Sequence, residues 1–343
     1  MKAVQLVEAG QNPRVVEIPQ PAPGPGEILL KVTAAGWCHS DVFVVDNIAA
    51  FAHFTLPLTL GHEGVGIVEE VGPGVSGVEI GGAYAVYGPW GCGHCPTCVT
   101  GREQYCPNAA ARGIMPPGLG SPGCLAEYVI VDSARHLVPI GDLDPVKAVP
   151  LTDAGLTPYH AIKRSWPKLV PGATAVVIGV GGLGHLAIQI LKMVSPARVV
   201  ALDVSEEKLA LARSLGADEA LISHMDNLDA IKAAAGGGAE VVIDFVGAQP
   251  TIDLASKLIK PASDLTIVGV GSGVAHVSLL SQPYGASVLA PYWGTREDLY
   301  EVVELAKEGK LDVHTEVFSL DDALAGYDKL HAGTLDGRAV VVP

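Results

Sequence analysis

Short apolar runs fill the first 150 residues. Stretches over 3–7, 15–18, 28–32, 65–71 and 83–87 are rich in Val and Ile and read as strands. Proline and glycine separate them, at Pro21, Pro23, Gly24, Pro25 and Gly26, at Gly72-Pro73-Gly74 and at Gly81-Gly82. This pattern predicts an all-β barrel or sandwich with long loops. One loop, 47–55, is itself apolar and carries Phe51 and Phe54. Such a loop either covers core or roofs a hydrophobic pocket.

From about Pro150 the pattern changes. Strand-like runs at 175–180, 198–202, 240–246 and 265–270 alternate with helical stretches that run to 194, over 205–215 and over 251–260. Alternation at this spacing predicts a parallel sheet with helices on both faces. Residues 233–238 read as a helix end and loop. After 287 the pattern gives one more strand, a helix over 296–308 and a last strand over 338–342. The expected fold is therefore α/β plus β, an all-β barrel or sandwich followed by a parallel sheet with helices on both faces. Residues 174–191 contain no Asp, Glu, Lys or Arg, a length that suggests a membrane span. Gly179, Gly181, Gly182 and Gly184 interrupt it, so a strand, a turn and a helix fit better.

Composition narrows the function. The chain has 343 residues, enough for two cores, with 49% hydrophobic and 17% charged residues. Its formal net charge of −15 argues against a nucleic-acid or anionic-membrane surface, both of which select for Lys and Arg. The N-terminus lacks the charged and apolar regions of a signal peptide. Four of the six cysteines lie within residues 92–106, a pattern that favours a metal site in a reducing, cytoplasmic setting over a disulfide framework.

Three groups of residues carry candidate chemistry. Cys92-x2-Cys95-x2-Cys98-x7-Cys106 can close an S4 shell around a structural zinc. The alternatives are an iron–sulfur cluster, whose bacterial run has a shorter final gap, or free thiols. Cys38, followed by His39 and Ser40, and His62 in Gly61-His62-Glu63-Gly64 offer a thiolate and an imidazole. On their own they read equally well as a buried cysteine and a satisfied core histidine. Gly179-Val180-Gly181-Gly182-Leu183-Gly184 follows a strand and opens a helix, which is the dinucleotide context. Asp203 closes the next strand, where a carboxylate accepts from both adenosine ribose hydroxyls and repels a 2′-phosphate. Lys208 is near enough to offset that repulsion in part, and a helix N-cap is the alternative role for Asp203. NAD is the expected cofactor.

With these groups in this order, the whole chain resembles the zinc-dependent medium-chain alcohol dehydrogenases. The block at 61–66, the four-cysteine lobe, the Gly-rich turn and Gly337-Arg338-Ala339-Val340 all take part in the likeness. It is strongest to bacterial NAD-dependent secondary-alcohol dehydrogenases and aryl carbonyl or phenylacetaldehyde reductases. The stretches 151–159 and Pro291-Tyr292-Trp293-Gly294 carry that closer likeness. The resemblance implies a GroES-like barrel domain over 1–151, to which 286–343 return, and a Rossmann domain over 152–285. It implies a homo-oligomer, a dimer or tetramer.

It also implies roles. Cys38, His62 and Asp153 would hold a catalytic zinc, Asp153 standing where many relatives have Cys. Asp153 also reads as the N-cap of a helix beginning near 154, a role that does not exclude the first. Glu63 would sit beside the metal, as an occasional ligand or as an orienting group. Ser40 would take the alcohol proton. Many relatives carry His five residues after the zinc cysteine, and Phe43 stands there in this chain, so the proton route must end differently. His39 and Arg338 would face the pyrophosphate. Thr157, Phe245, Val246, Val268 and Val270 would line the nicotinamide, although such apolar residues also suit a core. Phe43, Phe54, Leu119 and Trp293 would make the substrate pocket apolar. The implied reaction is NAD-linked hydride transfer with a hydrophobic alcohol or carbonyl compound. The alternatives are a polyol or threonine dehydrogenase of the same family and a non-enzymatic nucleotide-binding member.

Overall fold

The computed structural model describes residues 1–50, 54–335 and 337–343. Phe51 lies outside the described residues. The chain forms two compact units, Met1–Asp153 with Thr295–Pro343, and Ala154–Gly294.

The first unit begins with β1 (Lys2–Leu6), β2 (Arg14–Glu17) and β3 (Ile28–Trp37). Helix α1 (His39–Asn47) follows, then β4 (Leu58–Thr59), β5 (Glu63–Val71) and β6 (Ala83–Val86). The cysteine lobe carries a short helix, α2 (Pro96–Val99). β7 (Tyr128–Val131), β8 (Leu137–Pro139) and α3 (Pro145–Ala148) complete this part. β3 runs five residues beyond the expected 28–32, because Thr33, Ala34, Ala35 and Gly36 are small enough to stay inside a paired strand. It pairs antiparallel with both β5 and β7. The core gathers Leu30, Val32, Trp37, Leu60, Val68, Val86 and Leu125, all nearly or wholly buried.

The second unit holds β9 (Thr174–Ile178), β10 (Arg198–Asp203), β11 (Glu219–Ile222), β12 (Ala239–Asp244), β13 (Ile259–Ile267) and β14 (Ser287–Leu289). Their order in the sheet is β11-β10-β9-β12-β13-β14, and all pairs are parallel. Helix α4 (Leu156–Arg164) precedes β9, and α5 (Gly184–Val194), α6 (Glu206–Ser214), α7 (Leu228–Ala234) and α8 (Gln249–Leu258) lie between the strands in sequence. Parallel strands need such crossovers, and β9 is wholly buried, as a doubly covered sheet requires. The apolar run 174–191 divides between β9 and α5, with the glycine turn between them. Among the described residues no helix is long and apolar enough to cross a membrane. The sheet and barrel together confirm the expected fold class.

The chain then returns to the first unit with α9 (Arg296–Lys307), β15 (Thr315–Ser319), α10 (Ala323–His331) and β16 (Arg338–Val342). β16 pairs with β3 on the edge away from β5, and β15 extends the sheet beyond it. Trp37 ties this segment down. Its Nε1 donates to the Ala323 carbonyl at 2.9 Å, and its ring packs 5.3 Å from that of Tyr327. β11, β15 and α10 have no counterpart in the sequence reading, and α7 has only its end, within 233–238. All four are short or only partly buried, so their apolar periodicity is weak.

Candidate active site

Strand register brings the first ligand pair together. Gly36 on β3 lies opposite Glu63 on β5, so Cys38, just past one strand end, meets His62, just before the other. Cys38 caps α1 with extended backbone, φ −131° and ψ 160°. Asp153 arrives from a 3-10 turn over Val149–Thr152. It does not cap the next helix, whose N-cap is Gly155, so the capping alternative is excluded. The Cys38 Sγ lies 3.2 Å from Asp153 Oδ2, and His62 Nε2 lies 3.7 Å from the same oxygen. The ligating atoms of Cys38, His62, Glu63 and Asp153 all fall within 4.8 Å of one another. Ligands about 2.0–2.3 Å from one zinc stand at such separations, so the donor set fits the metal.

Asp41 completes this arrangement and was not singled out from the sequence. It is fully buried on α1. One oxygen accepts from the Cys38 backbone N–H at 2.9 Å. The other accepts from Gly61 N–H at 3.1 Å and lies 3.3 Å from His62 Nδ1. A carboxylate on Nδ1 leaves Nε2 as the ligating nitrogen. Burial pushes the His62 imidazole down, but Asp41, Asp153 and Cys38 outweigh it and hold its pKa well above the usual value. The site attracts positive charge, whether a proton or a metal cation.

Glu63 and Arg338 form a buried ion pair, at 0% and 3% exposure. Arg338 was expected at the pyrophosphate, and here its guanidinium is turned to Glu63. Ser40 Oγ stands 3.9 Å from Cys38 Sγ, while His39 is exposed at the first turn of α1. Phe43 lies one turn further along the same helix and is 41% exposed. Phe54 and Leu119 pack, partly buried, on the barrel core. Cys124 is fully buried against Gly64, and burial pushes its thiol up to about 12, so it stays a neutral side chain.

The second cluster is built in the lobe. Cys95 and Cys98 sulfurs lie 3.4 Å apart, and the Cys92–Cys98 and Cys95–Cys106 pairs are each at 3.9 Å. Four sulfurs about 2.3 Å from one zinc stand about 3.8 Å apart, so the four-cysteine shell fits zinc and leaves no open position. The Cys92 thiol is pulled down to about 5, chiefly by the His94 backbone N–H, whereas burial pushes Cys98 up to about 12. A cation is needed for all four to be thiolates together. Glu103, also unremarked in the sequence, fastens this lobe. It accepts from Gly91 N–H at 3.1 Å and from Arg135 Nε at 3.2 Å, and its Oε2 lies 3.1 Å from His136 Nε2. Burial raises the Glu103 pKa, but His136 and Arg135 more than reverse that and leave it below 4.5, its ordinary value.

The dinucleotide turn belongs to the second unit. Gly179 takes a left-handed φ of +89°. A Cβ on Gly184 would stand 1.8 Å from the Gly179 carbonyl oxygen, so only glycine lets α5 start so close to β9. A Cβ on Gly181 would meet nothing within 4 Å. That glycine is not required by protein packing and leaves open space, as a close-lying pyrophosphate needs. Gly182 and Leu183 complete the turn, and Leu183, at the N-cap of α5, makes no side-chain cap bond, so helix N–H groups remain for an anion. Asp203 is not a helix cap, since Ser205 caps α6. It braces the turn, accepting from Val180 N–H at 2.7 Å and Ser205 N–H at 3.0 Å. Lys208 is partly buried in the first turn of α6. Val246 and Val270 are 41% and 71% exposed, which rules out the core alternative for both. Phe245 and Val268 are partly buried, and Thr157 is buried on α4. Trp293 is 5% exposed and packs edge-on to Tyr292.

Comparison with known proteins agrees with this chemistry. Residues 24–142 match the alcohol dehydrogenase GroES-like domain, and 182–308 match the zinc-binding dehydrogenase domain. An NAD-dependent alcohol dehydrogenase of Sulfolobus acidocaldarius is 35% identical, with 99% of each chain covered. A D-arabinose 1-dehydrogenase (NADP+) of Saccharolobus solfataricus is 33% identical over 100% of this chain and 97% of its own. The alcohol dehydrogenase structure from Aeropyrum pernix superposes with a TM-score of 0.91 at 35% identity, covering 100% of both chains. That of acetophenone reductase from Geotrichum candidum with NAD has a TM-score of 0.86 at 32% identity, covering 100% of this chain and 97% of its own.

Two substitutions test the supports of these sites. Asp41→Ala removes the acceptor behind His62 and Cys38. Zinc affinity at the site of Cys38 is expected to fall about 10–100-fold, read as zinc content after dialysis against graded chelator. Retention of both metals at wild-type chelator levels counts against the role of Asp41. Glu103→Gln is expected to lower the urea midpoint at pH 7. A lowered carboxyl pKa contributes stability above 4.5 that is lost as pH falls through the folded-state value. The gap between wild type and variant should therefore close below pH 4.5, and a gap independent of pH contradicts this account.

Proposed function

We propose a hydrophobic alcohol–carbonyl pair as substrate, secondary or aryl, from the premise that the chain belongs to the zinc-dependent medium-chain alcohol dehydrogenases. The protein is an NAD-linked oxidoreductase of alcohols and carbonyl compounds, with zinc and NAD as its cofactors.

In this reading Cys38, His62 and Asp153 hold the catalytic zinc, and Cys92, Cys95, Cys98 and Cys106 hold the structural one. Zinc, when bound, polarises the substrate oxygen as a Lewis acid. Glu63 is kept beside the shell by Arg338. Ser40 accepts the alcohol proton. Phe43 shares its helix face with Ser40, since residues three apart are neighbours there, and offers no hydrogen bond. The proton therefore leaves Ser40 by a route without the side chain at 43. Asp203 selects NAD, with exposed Val204 beside it bringing no positive charge. Thr157, Phe245, Val246, Val268 and Val270 serve the nicotinamide, and His39 the pyrophosphate.

What supports the substrate class is the apolar character of Phe43, Phe54, Leu119 and Trp293, the residues that the family resemblance assigns to the pocket. A sugar or polyol site needs hydrogen-bonding side chains for each hydroxyl, and leaving such hydroxyls unpaired is costly. The D-arabinose relative makes the sugar reading the one to exclude. Cysteines gathered on zinc sites suit a reducing, cytoplasmic location.

A substrate panel tests the proposal. Turnover of 1-phenylethanol or 2-octanol with NAD+ is expected to exceed that with NADP+ and that of sorbitol, D-arabinose or threonine, by about tenfold or more in kcat/KM. Preference for a polyol overturns it. Self-association is the second element of the proposal. Residues 265–295 contain no Asp, Glu, Lys or Arg, in a chain of net charge −15, and expose Val274, Val277, Leu279, Leu280 and Tyr284. Such a patch suits an interface between copies. Sedimentation equilibrium is expected to give a dimer or tetramer, and a monomer at micromolar concentration contradicts it.

A further inference from the structure

The second unit's sheet changes direction at its centre. From β9 the chain builds outward through β10 and β11, then crosses to β12 and builds outward through β13 and β14. Dinucleotides bind at such a switch, one half over each side. The Gly-rich turn and Asp203 take the β9–β10 side. The nicotinamide half then belongs over the carboxyl ends of β12 and β13, and a buried carboxylate, Asp244, organises that region.

Asp244 ends β12 and is 0% exposed. Its Oδ1 accepts from Val246 N–H at 2.9 Å and Gly247 N–H at 3.1 Å, and its Oδ2 accepts from the Thr251 hydroxyl at 2.8 Å. Its backbone carbonyl accepts from Val268 N–H at 2.8 Å and Gly269 N–H at 3.1 Å. One residue thus ties the turn after β12, the turn after β13 and the first turn of α8. None of these partners is a cation, and burial raises the carboxyl pKa above its usual value. An apolar residue would avoid that cost.

Side-chain packing cannot set these turns. A Cβ on Gly247 would stand 2.2 Å from the Gly269 carbonyl oxygen, and one on Gly269 would stand 2.2 Å from the Val246 carbonyl carbon. The two turns meet backbone to backbone, so hydrogen bonds decide where they sit. They carry Phe245, Val246, Val268 and Val270. Val246 also reaches back over the dinucleotide turn, its Cγ2 lying 2.7 Å from where a Cβ on Gly179 would be.

We propose that Asp244 is a positioning residue for the nicotinamide half of the cofactor, holding Val246 and the turn after β13 as an apolar ledge for the ring. It touches no cofactor atom itself. The inference rests on the NAD reading above, and the test separates the two.

Dissociation constants for NADH and for ADP-ribose, which lacks the nicotinamide, are measured with wild type and variants. Absence of NADH binding by wild type would sink the NAD reading, whatever the variants do. Asp244→Ala leaves the Val246 and Gly247 N–H groups without an acceptor, while the Thr251 hydroxyl keeps the Ala248 carbonyl, and is expected to weaken NADH about tenfold, with ADP-ribose changed by less than about twofold. Asp244→Asn keeps an oxygen for the two backbone N–H groups. The Thr251 hydroxyl, already 2.9 Å from the Ala248 carbonyl, can donate there and accept from the amide. Binding of NADH by Asp244→Asn should return to within about threefold of wild type. Equal weakening of both ligands by Asp244→Ala, or unchanged NADH binding, overturns the proposal. If Asp244→Ala does not fold, Thr251→Ala removes one of the three bonds. A selective loss for NADH of about threefold is then expected, and an unchanged ratio overturns the proposal.

Discussion

The antiparallel register between β3 and β5 is the constraint on which the metal site depends. With Gly36 opposite Glu63, the two strand ends deliver Cys38 and His62 to one point. A slip of one residue would turn every side chain to the opposite face and separate them. Two glycines keep the register tight. A Cβ on Gly36 would stand 2.3 Å from Glu63 Oε2, and one on Gly64 would stand 2.3 Å from Cys124 Sγ. On the other edge of β3, β16 places Ala339 opposite Trp37, which brings Arg338 to Glu63. Strand pairing thus delivers the ligands and their nearest countercharge together.

Buried charge follows from this geometry. Glu63 and Arg338 offset one another. Asp41 spends its two oxygens on two backbone donors and the far nitrogen of His62. Cys38, His62 and Asp153 then converge with an excess of electron-rich atoms, which is unfavourable unless a cation joins them. The second unit uses carboxylates differently. Asp203 and Asp244 each end a strand and accept backbone N–H groups, so both fasten loops at the carboxyl edge of the sheet. Asp203 keeps its turn, the glycine turn, in place. Asp244 does the same one strand across the switch.

Much of this was legible in the sequence. The change from β-rich to alternating β and α at about Pro150 marks the two folds, because strand and helix periods differ. The Cys92–Cys106 spacing is local, so a single loop closes the sulfur cluster and its geometry follows from its own residues. The same holds for the Gly179–Gly184 turn, where strand, glycines and helix are contiguous. Asp41 and Glu103 left no such mark. Asp41 looks like an acidic residue in the first turn of a helix, and Glu103 looks like one charge in a polar loop. Their partners, His62 and His136, lie 21 and 33 residues away.

The sequence by itself determined which ligand types are present, the closed sulfur cluster and the dinucleotide turn, because each depends on neighbours along the chain. The tertiary structure decided which carboxylates join the Cys38–His62 cluster, which clamp loops and which pair with a cation. It set Asp153 beside Cys38 and His62 and not at a helix cap, turned Arg338 to Glu63, and exposed Val246 and Val270 where a core was nearly as readable. Those outcomes depend on strand register and burial, which bring together residues separated by up to 275 positions. No local pattern encodes a partner at that distance.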